Sequence, residues 1–268
     1  MMKIALSIAG SDPTGGAGLQ ADLQVFRALG VHGAGVVTAI TVQDTAKVHQ
    51  VLPAFPSVVL EQLRVLLRDL TPDAIKIGAL ISDDVVRNVQ LALAPILAAP
   101  SSVPIVIDPV LAASDGTVLL EQRAWGVLQS MIGSAALVTP NLHEAAALTE
   151  CDTSTEEGTE AAACALVSEL GAQASLVKGG HRDGPPRDLL AVRGGGSVSL
   201  RWLEGERVPG GPFHGTGCVL SAAIAAQLAL GVSLEDAVDR GRQFVASALR
   251  KTAGSGARSR LLAYACTD

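Results

Sequence analysis

The chain has few basic residues and no long apolar run, and each shortage excludes a class of partner. Its 20 lysines and arginines are outnumbered by 26 acidic residues, which gives a net charge of -6. Nucleic acids and acidic membrane surfaces usually select a basic patch. The apolar residues 219–230 are too few for a membrane span and include Ser221 and Gln227. We therefore expect no nucleic-acid partner and no membrane partner.

Cysteine and histidine are also sparse. The four cysteines are Cys151, Cys164, Cys218 and Cys266. Their spacing shows no pairing, which indicates free thiols in a reducing compartment, and we expect a cytoplasmic protein. The five histidines lack the spacing of a zinc site. The apolar residues 4–9 end at a glycine rather than at a cleavage site, so we expect a buried strand and not a signal peptide.

Apolar residues make up 49% of the 268 positions, enough to bury a large core. Short apolar runs alternate with longer helical patterns, and they occupy residues 4–9, 36–40, 74–77, 105–107, 136–138 and 175–177. This alternation predicts an α/β fold with a mostly parallel sheet and helices on both faces, in one domain spanning residues 1–268. Residues 189–192 and 198–202 flank three glycines and predict an antiparallel hairpin at one sheet edge.

Ligands of such folds bind outside the carboxyl ends of the strands. Each predicted parallel strand ends in polar residues, among them Asp12, Gln43, Lys76, Asp108, Asn141 and Lys178. The sequence therefore predicts a polar ligand site along one edge of the sheet.

The most informative loop is His214-Gly215-Thr216-Gly217-Cys218, which runs directly into an apolar helical stretch. Its glycines let backbone N–H groups approach a ligand, and the amides of a first helical turn carry partial positive charge. We predict an anion hole that contains Cys218, with the thiol pKa lowered by the helix N-terminus. The alternatives are a tight glycine turn and a small buried thiol.

A second glycine loop, residues 9–18, follows the first predicted strand. Its spacing is not G-x-G-x-x-G, so it does not indicate a dinucleotide-binding fold. Asp22 lies on the helix that follows. Its carboxylate either points back into the cleft at the strand ends or complements the helix dipole.

Seven motifs in order resemble the hydroxymethylpyrimidine/phosphomethylpyrimidine kinases of thiamine biosynthesis. They are residues 9–18, 38–45, 76–80, 107–110, 139–145, 177–181 and 214–218. The resemblance implies a ribokinase-like fold, ATP and Mg²⁺ as cofactors, and a small-molecule pyrimidine substrate. It also implies γ-phosphoryl transfer first to a hydroxymethyl oxygen and then to a phosphate oxygen. A homodimer is common among such relatives.

The resemblance also implies roles for the glycine loop. The amides of Gly215, Thr216, Gly217 and Cys218 would stabilise the transferred phosphoryl group, and the Cys218 thiolate would accept the substrate proton. Lys178 would bind nucleotide or substrate phosphate, and the alternative is a lysine whose stem lies along the surface with its ammonium in water.

Asp108 and Glu144 are the acids expected to hold Mg²⁺ through water. Asn141, Lys178 and Gly217 would bind the nucleotide. Asn141 and Glu144 also match a helix capping box, and both descriptions can hold together.

Gln43 is the predicted reader of the pyrimidine, with Asp22 and Gly10 beside it. A glutamine amide matches a ring-nitrogen acceptor next to an amino donor. An exposed loop glutamine is the alternative.

Four departures from the family pattern concern individual inferences. Asp44 stands where asparagine is usual, Phe213 follows a proline where a polar pair is usual, and Arg242 lies near a usual lysine. The tail after Gly254 lacks the usual ending. These departures leave the second phosphorylation and the nucleotide choice open, and the rival functions are a pyridoxal kinase and a non-catalytic vitamer or nucleotide sensor.

Overall fold

The structure is a computed structural model that describes residues 2–97, 103–180, 184–252 and 259–264. Cys266, His181 and Gly254, which enter the sequence analysis, lie outside the described residues.

The described strands form a nine-stranded sheet in the order β3-β2-β1-β4-β5-β6-β7-β8-β9. Their bounds are β1 (Ile4–Ser11), β2 (His32–Gln43), β3 (Val48–Pro53), β4 (Ala74–Ile77), β5 (Ile105–Ile107), β6 (Leu137–Val138), β7 (Ala174–Val177), β8 (Arg187–Gly194) and β9 (Ser197–Glu204). Neighbours from β2 to β7 are parallel, whereas β3, β8 and β9 join antiparallel. The mostly parallel sheet and the hairpin at its edge are thus confirmed.

Helices cover both faces of the sheet, as predicted. They are α1 (Gly18–Ala28), α2 (Pro56–Asp69), α3 (Asp83–Leu97), α4 (Trp125–Ile132), α5 (Leu142–Thr149), α6 (Glu156–Ser168), α7 (Thr216–Ala229) and α8 (Leu234–Lys251). One apolar cluster joins the sheet to α2 through α6, and a second joins it to α1, α7 and α8. The short strands β4 and β5 are buried throughout because both of their faces are covered.

Helix α7 is apolar on nearly every side and is buried from Val219 to Gln227. A helix of this kind belongs in a protein core, so the predicted core helix is confirmed. Among the described residues, no helix combines the length and the hydropathy that a membrane crossing requires.

Strand β3 was not predicted. Its six residues are partly or fully exposed, so they lack the regular alternation of a half-buried strand. It pairs with the end of β2, where Ile40 lies opposite Leu52. This pairing makes the β2–β3 ribbon an edge of the sheet that extends toward the carboxyl ends of the parallel strands.

Candidate active site

Asp108, which follows β5, is the centre of a polar network at the carboxyl ends of the strands. Its Oδ1 accepts hydrogen bonds from Lys178 Nζ at 2.8 Å and from Thr139 Oγ1 at 3.2 Å. Its Oδ2 accepts one from Ser221 Oγ of α7 at 3.2 Å. Burial raises the pKa of Asp108, but the charges of Lys178 and Lys76 lower it by more than burial raises it. The net shift is downward, and the carboxylate is ionised.

Lys178 follows β7 and reaches from the sheet toward the start of α7. Its backbone N–H donates to the Pro140 carbonyl at 2.8 Å. A Cβ built on Gly217 would lie 3.1 Å from Lys178 Nζ, so glycine at this position allows the helix start to approach the ammonium group. The side chain of Lys178 is 16% exposed and that of Asp108 is 3% exposed. We call Asp108 and Lys178 the open pair.

The start of α7 is formed by a glycine in a left-handed conformation, and its role as an anion hole stays a prediction. Gly215 has a φ of 77°, and a side chain there would collide with the Gly16 carbonyl oxygen. No side chain of the described residues caps this helix start. The amides of the first turn therefore remain available for an anionic ligand.

The prediction that Cys218 has a lowered pKa is wrong. Burial raises the pKa, Lys76 lowers it, and the carboxylates of Asp108 and Asp22 raise it again, to about 11. The thiol also accepts a hydrogen bond from the Gly18 N–H, which favours the thiolate too weakly to reverse the shift. Cys218 is therefore a thiol at neutral pH.

Beneath Cys218 lies a second lysine–aspartate pair, formed by Lys76 of β4 and Asp22 of α1. Lys76 Nζ donates to the two carboxylate oxygens of Asp22 at 2.8 and 3.0 Å, and Ser7 Oγ donates to Asp22 Oδ2 at 2.5 Å. Both side chains are 0% exposed. Burial lowers the pKa of Lys76, but Asp22 and Cys218 raise it to a net upward shift. We call Asp22 and Lys76 the sealed pair.

The sealed pair bears on the expected role of Asp22. Its carboxylate meets Lys76 and Ser7 rather than the open cleft, and α1 has no acid in its first turn, so Asp22 does not complement the helix dipole there. A contact between Asp22 and a pyrimidine stays a prediction.

Asn141 and Glu144 form the capping box of α5. Asn141 Oδ1 accepts from the Glu144 N–H at 2.9 Å, and Glu144 Oε2 accepts from the Asn141 N–H at 2.7 Å. Burial raises the pKa of Glu144, Lys178 lowers it and Asp108 raises it, to about 7. The capping description is thus confirmed, and Glu144 also lies in the electrostatic field of the open pair.

The donors near the open pair suit Mg²⁺. Mg²⁺ retains several waters and needs only one or two protein carboxylates, and Asp108 and Glu144 supply two. Their mutual repulsion contributes to the raised pKa of Glu144, so a divalent cation would relieve it. Within the described ranges no group of three or more His, Cys, Asp or Glu side chains is arranged to hold a metal.

The glycine loop after β1 is tied to the loop before α7 by Asp12. Asp12 Oδ2 lies 2.8 Å from His214 Nε2 and accepts the Ala17 N–H at 2.8 Å. Burial raises the pKa of Asp12, but hydrogen bonds from His214, Thr14 and the Gln43 side chain lower it to about 2. Gln43 therefore lies within hydrogen-bonding distance of Asp12, the residue that joins the two glycine loops.

Gly10 lies in the buried floor between these loops. A side chain on Gly18, whose φ is 58°, would collide with the Gly10 carbonyl oxygen. The close approach of these two glycines brings the start of α1 against the end of β1.

The family departures have local structural explanations. Asp44 accepts hydrogen bonds from the backbone N–H groups of Ala46 and Lys47 in the β2–β3 turn and lies 3.0 Å from His49 Nε2. Its carboxylate is therefore hydrogen-bonded within the turn. Phe213 packs in the cluster that contains α8. Arg242 pairs with Asp188 at 2.8 Å.

Sequence reasoning gave no role to three side chains that the fold brings to the site. Lys76 carried a signal, since it is a charge inside a buried strand. The contacts of His214 and Ser221 were not predictable, because their partners Asp12 and Asp108 lie far away in the chain.

Comparisons with known proteins give matches along most of this chain. A family model described as phosphomethylpyrimidine kinase matches residues 12–261. A hydroxymethylpyrimidine/phosphomethylpyrimidine kinase of Staphylococcus aureus (strain MRSA252) is 37% identical over 93% of this chain and 89% of that protein.

Two solved structures are similar along most of their length. The phosphomethylpyrimidine kinase of Clostridium difficile has a TM-score of 0.79 and 31% identity, covering 92% of this chain and 99% of that one. The pyridoxal kinase of Staphylococcus aureus, solved with the ATP analogue AMP-PCP, has a TM-score of 0.86 and 29% identity, covering 99% and 94%. The expected ribokinase-like fold is confirmed.

Proposed function

Because this chain belongs to the phosphomethylpyrimidine kinase family, we propose that it transfers the γ-phosphoryl group of ATP to 4-amino-5-hydroxymethyl-2-methylpyrimidine and then to the monophosphate. It is a phosphotransferase that uses ATP, acting in thiamine biosynthesis. The observation that carries the proposal is the open pair, whose Lys178 ammonium faces the uncapped start of α7.

The phosphoryl group is bound by the amides of Gly215, Thr216, Gly217 and Cys218 and by Lys178. Phosphoryl transfer requires positioning and charge stabilisation more than covalent chemistry. Amides at the start of α7 and the ammonium of Lys178 approach from two sides, so they stabilise charge on the equatorial oxygens. Asp108 holds the ammonium group in place through the 2.8 Å contact.

Cys218 takes the proton of the attacking hydroxyl. As the new O–P bond forms, the bond from the γ-phosphorus to the ADP oxygen breaks and the hydroxyl proton passes to sulfur. This requires the thiolate, which Lys76 favours by lowering the thiol pKa and Asp108 disfavours. The raised pKa makes the thiolate scarce but strongly basic once it forms.

Asp108 and Glu144 would hold Mg²⁺, and Asn141, Lys178 and Gly217 would bind the nucleotide phosphates. Mg²⁺ held there would neutralise charge on the phosphate oxygens. Asn141 also fixes the Glu144 carboxylate through the capping box, so the metal-holding group is oriented before any ligand binds.

The pyrimidine is recognised by Gln43 at the end of β2, above Gly10 at the end of β1. The hydrogen bond from Gln43 to Asp12 holds the amide beside the glycine loop that follows β1. Asp22 is the second proposed residue for pyrimidine recognition. Because it is enclosed with Lys76, which donates two hydrogen bonds to it, its effect on the pyrimidine passes through Lys76.

We also propose a homodimer through the β2–β3 ribbon, and a cytoplasmic location with no nucleic-acid partner. Ile40, Val42 and Leu52 are 57%, 47% and 46% exposed on this ribbon. Exposed apolar residues that lie together favour association. Light scattering on the Ile40→Lys variant should report monomers where the unaltered chain reports dimers.

The proposed reaction is tested by comparing kcat/KM for hydroxymethylpyrimidine, its monophosphate and pyridoxal, each with ATP and Mg²⁺. Turnover of both pyrimidines in preference to pyridoxal supports the proposal. Preference for pyridoxal would favour the second candidate, a pyridoxal kinase, to which the likeness in fold also points. Gln43→Leu should lower kcat/KM for the pyrimidines and leave ATP binding unchanged.

A further inference from the structure

Lys178 begins a short segment that is anchored from the far side by residues outside the site. The next residue, Gly179, donates its N–H to Asp188 Oδ1 at 3.0 Å. A side chain on Gly179 would collide with the Arg187 carbonyl oxygen, so the segment lies flat against β8. Lys178 itself is bound through its backbone N–H to Pro140.

Asp188 is in turn held by Arg242 of α8. Arg242 Nε donates to Asp188 Oδ2 at 2.8 Å, and its Nη2 donates to the carbonyls of Leu203 and Glu204 at 2.8 and 3.0 Å. The two side chains are 19% and 15% exposed. The planar guanidinium thus bonds a carboxylate and two backbone carbonyls at once, which a lysine ammonium on a flexible stem reproduces poorly.

We propose that Asp188 and Arg242 are positioning residues for phosphoryl transfer. Resting on the proposed role of Lys178, the inference is that this support fixes the Lys178–Gly179 backbone, so that the ammonium stays between Asp108 and Gly217. Neither side chain is among the groups that bind phosphate. Their effect is on the geometry of the reacting complex, and displacements of about 1 Å in such geometry cost up to about 100-fold in rate.

The chain offers a matched control between the same β8–β9 hairpin and α8. Arg201 of β9 pairs with Asp239 of α8 at 3.1 Å, and these side chains are 43% and 38% exposed. Asp239→Ala removes an arginine–aspartate pair between the hairpin and α8 without touching the segment at Lys178. Exposed pairs of this kind contribute little to stability.

The test is steady-state kinetics with ATP and hydroxymethylpyrimidine, alongside thermal unfolding. Asp188→Ala should lower kcat about 10- to 100-fold and leave both KM values within about threefold. Asp188→Asn keeps an acceptor for the Gly179 N–H and should restore most of the loss. The kcat of Arg242→Lys should lie between those of Asp188→Ala and Asp188→Asn. The kcat of Asp239→Ala should equal that of the unaltered chain.

Three outcomes would overturn the inference: an unchanged kcat in Asp188→Ala, equal losses in Asp188→Asn, or an equal loss in Asp239→Ala. Lys178→Met separates this failure from failure of the proposed function. If Lys178→Met keeps the unaltered kcat, the role of Lys178 is wrong. If Lys178→Met is slow while Asp188→Ala is not, only the positioning role is wrong.

Discussion

The open pair and the sealed pair each consist of one lysine and one aspartate, yet their surroundings differ. Lys76 and Asp22 are fully enclosed, and Ser7 completes the hydrogen bonding of the carboxylate. Lys178 remains partly exposed beside the glycines that start α7, and Asp108 shares its charge with donors from two elements.

The difference teaches that exposure decides what a buried lysine can do. A fully buried lysine can stabilise its partner carboxylate and raise the electrostatic potential at neighbouring atoms. A lysine with one open direction can bind an incoming phosphate without leaving its carboxylate. Cys218 feels both pairs, because Lys76 lowers its pKa while Asp22 and Asp108 raise it.

Lys76→Met should cause the largest loss of stability of any variant of the two pairs. This variant leaves the Asp22 carboxylate buried without its cation, and removing one member of a buried pair costs about 3–5 kcal/mol in the free energy of unfolding. Urea denaturation measures the loss. The double variant Asp22→Leu/Lys76→Met should recover most of it, and a double variant as unstable as Lys76→Met would contradict the sealed-pair description.

Lys178→Met breaks the open pair and should act on turnover. Loss of one charge-stabilising donor costs about 100- to 1,000-fold in kcat. The free energy of unfolding should fall less than in Lys76→Met, because Thr139 and Ser221 still donate to Asp108. Steady-state assays at saturating ATP and pyrimidine measure the effect, and a kcat close to that of the unaltered chain would remove Lys178 from the mechanism.

The proposed Mg²⁺ site beside the open pair predicts a pH dependence. The pKa of Glu144 is raised from 4.5 to about 7, so its ligating carboxylate is lost as pH falls through 7. Between pH 8 and pH 6 the apparent KM for Mg²⁺ should rise about tenfold. Glu144→Gln should bind Mg²⁺ weakly and without this pH dependence. Because the unfolded chain ionises Glu144 at a lower pH than the folded chain does, the free energy of unfolding should fall as pH rises from 4.5 to about 7. Glu144→Gln should lack this fall.

The smallest expected effect concerns the thiol between the two pairs. Because the Cys218 pKa is raised to about 11, its alkylation by iodoacetamide should be slow at pH 8 and should accelerate toward pH 11. Loss of the Lys76 charge in Asp22→Leu/Lys76→Met, where the Asp22 charge is also absent, should change the rate by less than about fivefold. Mass spectrometry of the Cys218 peptide follows the reaction, and fast alkylation at neutral pH would contradict the raised pKa.

The sequence predicted most of the sheet because β1, β4, β5 and β7 are apolar runs with clear ends. β3 was missed since its exposed residues leave no alternation to detect. The capping box at Asn141 was predictable because its partners are three residues apart. Local patterns determine local structure.

The site was less predictable where distant residues meet. A helix N-terminus predicts a lowered thiol pKa at Cys218, but burial of the thiol, together with the charges of Asp108 and Asp22, raises that pKa instead. Lys76 was visible as a charge in a buried strand, whereas its partner Asp22 lies 54 positions away in the chain. The electrostatics of the site thus depend on contacts that no single motif contains.

In the proposed mechanism Lys178 of the open pair binds the transferred phosphoryl group, and the sealed pair stabilises the protein beneath Cys218. The most direct measurement is the single-turnover rate of γ-phosphoryl transfer from ATP to hydroxymethylpyrimidine, compared between Lys178→Met and Asp22→Leu/Lys76→Met. Lys178→Met should be at least about 100-fold slower than the unaltered chain, and the double variant should stay within about tenfold. Equal slowing in the two variants would contradict the account.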